Sequence, residues 1–234
     1  MNKSKQSNSI NIKKSNFVRI PSNKYNTIKL DIKEIRQLLG KDICMRDLFN
    51  DYSLDMPKYV YPIINQAAMM SGACYTRNIG HLHSLIKTRK FRSLKEWKRW
   101  YTKRYSDNIK TAIDKLYNCV LKLMYNITEK NVKILKKGKS NLKKYCQMFV
   151  ENLIFEKTFV GLKVQEIIFK KVSEIMKKDF TWSNTKDDSS GIDGYINKIP
   201  ISIKPKSCKI AKKPGVKRII YSINSNSISF IHTI

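Results

Sequence analysis

Residues 190–207 read SGIDGYINKIPISIKPKS, and the way this stretch pairs with itself decides the architecture around it. Two β-branched runs, Ile192–Ile196 and Ile199–Ile203, flank Asn197-Lys198, a two-residue turn in which asparagine tolerates positive φ. That turn sets Ile196 against Ile199, Tyr195 against Pro200, Gly194 against Ile201 and Asp193 against Ser202. Pairs alternate outward from a hydrogen-bonded pair at the turn. Tyr195–Pro200 is therefore a non-hydrogen-bonded pair, where proline's missing N–H costs the ladder nothing. The same register puts Asp193 opposite Ser202 and diagonal to Lys204 on one face, at the ~7–8 Å typical of diagonal neighbours. Pro205 keeps Lys204 extended. A three-residue loop would send Asp193 to the opposite face.

A carboxylate and a lysine on one face admit two readings. One is a surface cross-strand pair worth under ~1 kcal/mol. The other is hydrolytic: the carboxylate binds Mg²⁺, a hard cation that takes oxygen ligands, and the lysine stabilises a hydroxide or a scissile phosphate. Spacing alone leaves both open.

The whole chain leans toward phosphate. Lys and Arg number 47 against 18 Asp and Glu in 234 residues, a formal charge of +29. This excess exceeds what solubility needs and points to a large polyanion, with nucleic acid ahead of a membrane surface. No segment approaches the ~20 continuous apolar residues of a membrane-spanning helix. The basic N-terminus lacks the apolar region of a secretory signal. A soluble, cytoplasmic protein is expected. Five widely spaced cysteines with no C-x-x-C pair argue against a disulfide framework or a zinc site. His81 and His83, without a third ligand nearby, read as surface or phosphate-facing residues.

Helical patterns dominate the first three quarters. Asp31 to Leu39 carries apolar residues at helical spacing and ends at Gly40. A helix is expected from Asn65, a break near Gly72 and a second helix after Asn78. At Ser93 the sequence SLKE forms a capping box. Leu94, Trp97, Tyr101, Tyr105, Ile109, Ile113, Leu116 and Val120 follow on one face, while Lys95, Lys98, Arg99, Lys103, Arg104 and Lys110 take the other. That basic face is either solvated or a phosphate-contacting surface. Lys130 to Lys144 reads as a basic connector, and 141–155 and 161–178 as helices. TWSNTKDDSSGIDG is expected to be a polar, turn-rich stretch. Further strands are predicted over Arg218–Ile223 and Ser227–Ile231.

The spacing D193-(x)8-S202-I203-K204 resembles a variant of the PD-(D/E)XK nuclease motif. GIDGYI…IPISIKP resembles the C-terminal core of the MjaI-type restriction endonucleases. INQA (64–67), TR…GHLHSLI (76–86), LKEWKRWY (94–101) and GLKVQE (161–166) add to the likeness, which spans roughly residues 60–207. It implies an α+β fold: a predominantly helical N-terminal region, then a small mixed β-sheet core of PD-(D/E)XK type. Residues 1–16, with four lysines and no acid, are expected to form a flexible basic arm, and the rest of the chain is expected to divide in two. Residues 17–140 form a helical DNA-contacting and dimerisation region, and 141–234 the nuclease core.

The resemblance also implies chemistry. Asp193 becomes the metal-binding carboxylate, Lys204 the catalytic lysine, and the Ile203 carbonyl a further ligand for Mg²⁺. Ser202 departs from the family pattern, which has an acid there. Glu166, off the apolar row of its helix, is the candidate replacement as catalytic and metal-binding acid; Asp187 and Asp188 compete from a loop. Arg77 is the candidate for base reading, with Thr76 and Asn78 beside it, and Lys98 and Arg99 as further DNA contacts. The expected function is Mg²⁺-dependent, sequence-specific hydrolysis of duplex DNA. The family's association with the palindrome CTAG implies a homodimer, with a DNA methyltransferase as genetic partner. A junction or repair nuclease with the same core, and a non-catalytic basic nucleic-acid-binding protein, are the alternatives.

Overall fold

Asn197 and Lys198 both take positive φ, 48° and 65°, the turn whose twist matches that of the strands it joins. The ladder it closes pairs Ile196 with Ile199, Tyr195 with Pro200 and Gly194 with Ile201, the predicted register. The computed structural model describes residues 27–40, 44–125, 129–208 and 213–231. The basic arm expected over 1–16 lies outside them.

Along the chain, β1 (Thr27–Asp31) leads into α1 (Ile32–Leu39) and α2 (Met45–Phe49). The helices α3 (Val60–Ser71), α4 (Thr76–Ile79), α5 (Leu82–Arg89), α6 (Leu94–Tyr125) and α7 (Glu129–Asn152) follow. A π-helical turn (Leu153–Lys157) joins α7 to α8 (Thr158–Met176). Then come β2 (Phe180–Trp182), α9 (Thr185–Ser189), β3 (Gly194–Ile196), β4 (Ile199–Pro205), β5 (Lys217–Ile223) and β6 (Ser227–Ile231). The sheet order is β1-β6-β5-β4-β3-β2. β4 and β5 run parallel and the other neighbours antiparallel. The fold is α+β, and the sheet takes an edge strand from near the N-terminus as well as the C-terminal strands. Among the described residues no helix is long and apolar enough to cross a membrane.

Two apolar clusters fill the molecule. One gathers α3 to α7 and the start of α8, including Trp97, Tyr101, Leu116 and Phe159. The other lies between α8, α1, α2 and the sheet, including Val164, Ile168, Phe169, Ile201, Ile203 and Phe230. The helix α8 contributes Phe159 and Leu162 to the first and Val164 to Val172 to the second, and Trp182 packs against both. This shared helix ties the helical region to the sheet.

Local chemistry accounts for the helix ends. Asp31 and Glu34 form a reciprocal capping box at α1. At α6 only half of the expected box closes on Ser93. Ser93 Oγ accepts from Glu96 N at 3.2 Å, but Glu96 Oε2 accepts from Arg92 N at 3.0 Å. Asp47 of α2 takes the Leu94 amide at 2.8 Å, a long-range cap that no local pattern announces. The helix bends at Tyr105, where φ is −130° and ψ 28°. In the π-helical turn, Trp97 Nε1 donates to the Ile154 carbonyl at 3.0 Å and Thr158 Oγ1 to the Leu153 carbonyl at 2.7 Å. Side chains thereby satisfy carbonyls at the irregular turn.

Four expectations are corrected. The helix expected from Asn65 begins at Val60, because Pro62 lies in the first turn, where its missing N–H has no intrahelical partner to lose. The connector expected over Lys130–Lys144 is continuous helix; one glycine costs only about 1 kcal/mol in a helix. The polar stretch before Asp193 contains β2 and α9. The strand expected from Ile192 starts at Gly194. The amide of Asp193 bonds the Ile201 carbonyl at 2.8 Å and the residue leaves the ladder, so it is not paired with Ser202.

Gly194 is required by close approach: a Cβ there would lie 2.6 Å from the Thr181 carbonyl oxygen and 2.7 Å from Phe169 Cζ. Gly194→Ala is expected to destabilise the protein by about 1–3 kcal/mol, the usual cost of overpacking. Urea unfolding measures it, and an unchanged midpoint would contradict this packing.

Candidate active site

The hairpin carries a carboxylate that is almost fully enclosed. Asp193 is 3% exposed, and an isolated charge in such a position would be costly. Two neighbours offset that cost. Ile203 N donates to Asp193 Oδ2 at 2.6 Å, so the side chain serves as acceptor where the ladder has ended. Lys204 Nζ lies 3.2 Å from Oδ1 and 3.1 Å from Oδ2. The residue diagonal to the acid in the sequence register is thus its direct partner. Lys204 remains partly exposed, 24% over its side chain, so the pair has one buried and one open end.

A strand residue presents its N–H and C=O to the same edge. The Ile203 carbonyl therefore shares the Asp193 edge of β4. On the next strand, burial and then the charge of Asp193 push the Tyr221 phenol up to about 12. The phenol stays protonated at neutral pH.

A second group of ionisable side chains comes from α5 and α9. His83 and Lys87 are four residues apart on α5, the spacing that brings side chains to one face. Asn184 caps α9 by accepting from Asp187 N at 2.9 Å, which gives Asp188 the fixed orientation the sequence did not reveal. His83 Nδ1 lies 3.1 Å from Asp188 Oδ2. Burial disfavours ionisation of Asp188, but His83, then Lys87 and Lys204, outweigh it and hold the carboxyl below its ordinary value. Burial pushes the Lys87 ammonium down, against the opposing charges of Asp188 and Asp193. The two groups share one electrostatic field. Beside them a cavity of about 610 Å³ is lined by His81, His83, Lys87, Trp182, Asn184 and Asp188, among others.

Glu166 stands elsewhere in this network. Its carboxylate is paired with Lys163 at 3.1 Å and Lys170 at 3.0 Å. Burial opposes its ionisation, but Lys163 and Lys170 prevail and its pKa is lowered. Lys170 also donates to the Leu38 carbonyl at 2.8 Å, so this cluster fastens α8 to α1. Among the described residues no hydrogen bond or ion pair joins Glu166 to Asp193 or Lys204. The acid that shares the field of Lys204 with Asp193 is Asp188.

The residues expected to meet DNA separate into free and engaged. Arg77 and Thr76 are exposed, with the Arg77 guanidinium 5.8 Å from the Tyr75 ring centroid. Asn78 is 6% exposed. Its Nδ2 donates to Gly72 O at 2.7 Å, and its Oδ1 accepts from Lys115 Nζ at 2.6 Å. Both ends of that side chain serve the fold. Lys98 pairs with Glu156 and lies 5.5 Å from the Phe155 ring centroid. Arg99 is exposed. Arg89 and Arg104 both stack on Trp100, at 4.8 and 4.9 Å.

His83 and Lys87 were not singled out as a pair by the sequence reading. Their i,i+4 spacing was the available signal, once α5 is recognised as a helix. Tyr221 gave none.

The MjaI restriction endonuclease family matches residues 61–230, a span that takes in α5, α9 and the whole hairpin. The chain is 28% identical over 209 residues to the type II restriction enzyme MthZI of Methanothermobacter thermautotrophicus, covering 87% of this chain and 93% of that one. It is 33% identical over 160 residues to the type II restriction enzyme MjaI of Methanocaldococcus jannaschii, covering 65% of this chain and 67% of that one. No solved structure matches. With its buried acid–lysine hairpin inside the matched span, the chain belongs to the MjaI restriction endonuclease family of type II restriction enzymes.

Proposed function

We propose that this restriction enzyme hydrolyses duplex DNA with Mg²⁺ at a centre built on Asp193 and Lys204. The observation that carries the reading is the enclosed Asp193 carboxylate held 3.1 Å from the Lys204 ammonium. Burial of a charged pair is weak evidence for stability, and a pair open at its lysine end suits a reaction centre better than a surface contact.

The donor set fits a hard cation. Among the described residues no three His, Cys, Asp or Glu side chains gather around one point. Mg²⁺, however, is commonly held by one or two carboxylates together with waters and substrate phosphates. Asp193 would supply the carboxylate and Ile203 its main-chain oxygen. Glu166, the second acid suggested by the sequence, would have to release Lys163 and Lys170 to join them. When bound, the ion neutralises phosphate charge and lowers the pKa of a coordinated water. Lys204, oriented by Asp193, stabilises negative charge at the scissile phosphate. Ile203 N–H fixes the carboxylate so that it need not reorganise.

Sequence specificity is assigned to Arg77, with Thr76 beside it, and phosphate positioning to Arg99 and Lys98. The proposed target is CTAG. A palindrome calls for a two-fold dimer, and a methyltransferase of the same specificity would protect host DNA in the cytoplasm.

Digestion of a sequenced plasmid with Mg²⁺, followed by end-mapping, is expected to give discrete fragments cut at CTAG. Asp193→Asn and Lys204→Ala should each reduce cutting by about 10²-fold or more, the scale of removing a transition-state contact, while duplex binding in Ca²⁺ survives. Normal cutting by either variant would remove these residues from the reaction centre. Binding without any cutting by the wild type would leave a DNA-binding protein.

Arg77 and Arg99 should separate in a binding assay. Arg77→Ala is expected to lose about 1–3 kcal/mol on the cognate site and to relax specificity. Arg99→Ala should weaken all duplexes alike and reduce the salt slope by about 1. Equal effects of Arg77→Ala on cognate and random duplexes would demote it to a phosphate contact.

A further inference from the structure

Lys87 is a half-buried cation without an obvious internal purpose. Its Nζ lies 4.7 Å from the centroid of the Trp182 ring. Among the described residues it has no hydrogen bond or ion pair. Asp188, the nearby acid of α9, is instead paired with His83. A lysine that loses water on folding without a direct hydrogen bond or ion pair is only partly compensated by an aromatic ring and nearby acids. Such an arrangement suits a site that receives its anion from outside.

The surroundings say which anion. Lys87 lines the cavity of about 610 Å³ together with His83, Trp182 and Asp188. It also senses the charge of Asp193, while Asp188 senses that of Lys204. Ser183, which also lines the cavity, donates through Oγ to the Asp193 carbonyl at 3.0 Å, and Trp182, against whose ring Lys87 lies, pairs with Gly194, so the cavity adjoins the hairpin. The ligand that a nuclease brings to such a region is a phosphodiester.

We propose that Lys87 is a second catalytic lysine of this active site, binding a non-bridging oxygen of the scissile phosphate from α5 while Lys204 acts from the hairpin. The inference rests on Asp193 and Lys204 being the reaction centre. In the hydrolytic step a water oxygen–phosphorus bond forms and the bond from phosphorus to the leaving sugar oxygen breaks. The proton lost by the water goes to solvent, and solvent returns one to the leaving oxygen. Lys87 exchanges no proton; its charge meets the charge that builds on the phosphate as the attack proceeds. Asp188, fixed by His83, balances the extra cation while no DNA is bound.

The test compares wild type, Lys87→Met, Lys87→Gln, Lys87→Arg and Asp193→Asn on a cognate duplex whose site has been mapped by digestion. Single-turnover cleavage is measured in Mg²⁺, duplex affinity in Ca²⁺ and folding by thermal melting. Lys87→Met and Lys87→Gln are expected to lose about 10²–10³-fold in cleavage rate, as when one transition-state contact is removed, with affinity and melting unchanged. Lys87→Arg, which keeps the charge, should recover part of that rate. If a folded Met or Gln variant cuts at the wild-type rate while Asp193→Asn is silent, the role given to Lys87 is overturned and the hairpin centre stands. A loss confined to affinity also overturns it, making Lys87 a positioning contact. Cutting by Asp193→Asn removes the reaction centre itself, and the inference with it.

Discussion

The hydrogen bond from Ile203 N to the Asp193 carboxylate, 2.6 Å long, is the contact on which the rest of the centre turns. It forms because the Asn197-Lys198 turn admits one register, and because Asp193 leaves the ladder one residue beyond Gly194. The carboxylate then does two things at once. It completes the main-chain pairing of β4 and it orients the ammonium of Lys204. Gly194 makes the geometry possible, since a side chain there would meet Thr181 and the ring of Phe169. The ring belongs to α8, so packing of the central helix and placement of the acid are one constraint.

The helix α8 extends that constraint through the molecule. It supplies residues to both apolar clusters, and Glu166 on its partly exposed side holds Lys163 and Lys170, the latter reaching α1. The helices α5 and α9 complete the other wall. There Lys87 feels the charges of Asp188 and Asp193, and Asp188 those of His83, Lys87 and Lys204. Near the centre His83 pairs with Asp188 and Lys204 with Asp193, and the chain as a whole carries a formal charge of +29. That arrangement suits an enzyme whose substrate is a polyanion: long-range attraction outside and a few oriented charges within.

What could be read from the sequence followed from local physics. The hairpin register was legible because a two-residue turn and a proline at a non-hydrogen-bonded position agree. The long helix α6 was legible because its apolar row persists for several turns, and α1 because its cap and terminal glycine bracket a short amphipathic run. The strand β2, three residues long, and the five-residue α9 are too short to leave a period. The Asp47 cap of α6 and the His83–Asp188 contact join residues far apart in sequence, so no local pattern carries them. Glu166 was a different case. Lys163 and Lys170 lie three residues before and four after it, and such neighbours on a helix pair readily; their presence in the sequence already argued for an engaged carboxylate. Asn78 was expected to contact DNA beside Arg77, whereas it bridges Gly72 and Lys115 between the α3–α4 break and α6.

The proposed centre rests on a single buried acid, its two hydrogen-bonding neighbours and, from α5, Lys87. Anomalous diffraction from Mn²⁺ in crystals of the enzyme with its cognate duplex tests this most directly. A metal peak is expected in contact with the Asp193 carboxylate and the Ile203 carbonyl, with Lys204 facing the scissile phosphate. A peak held away from Asp193 in a catalytically competent crystal would contradict it.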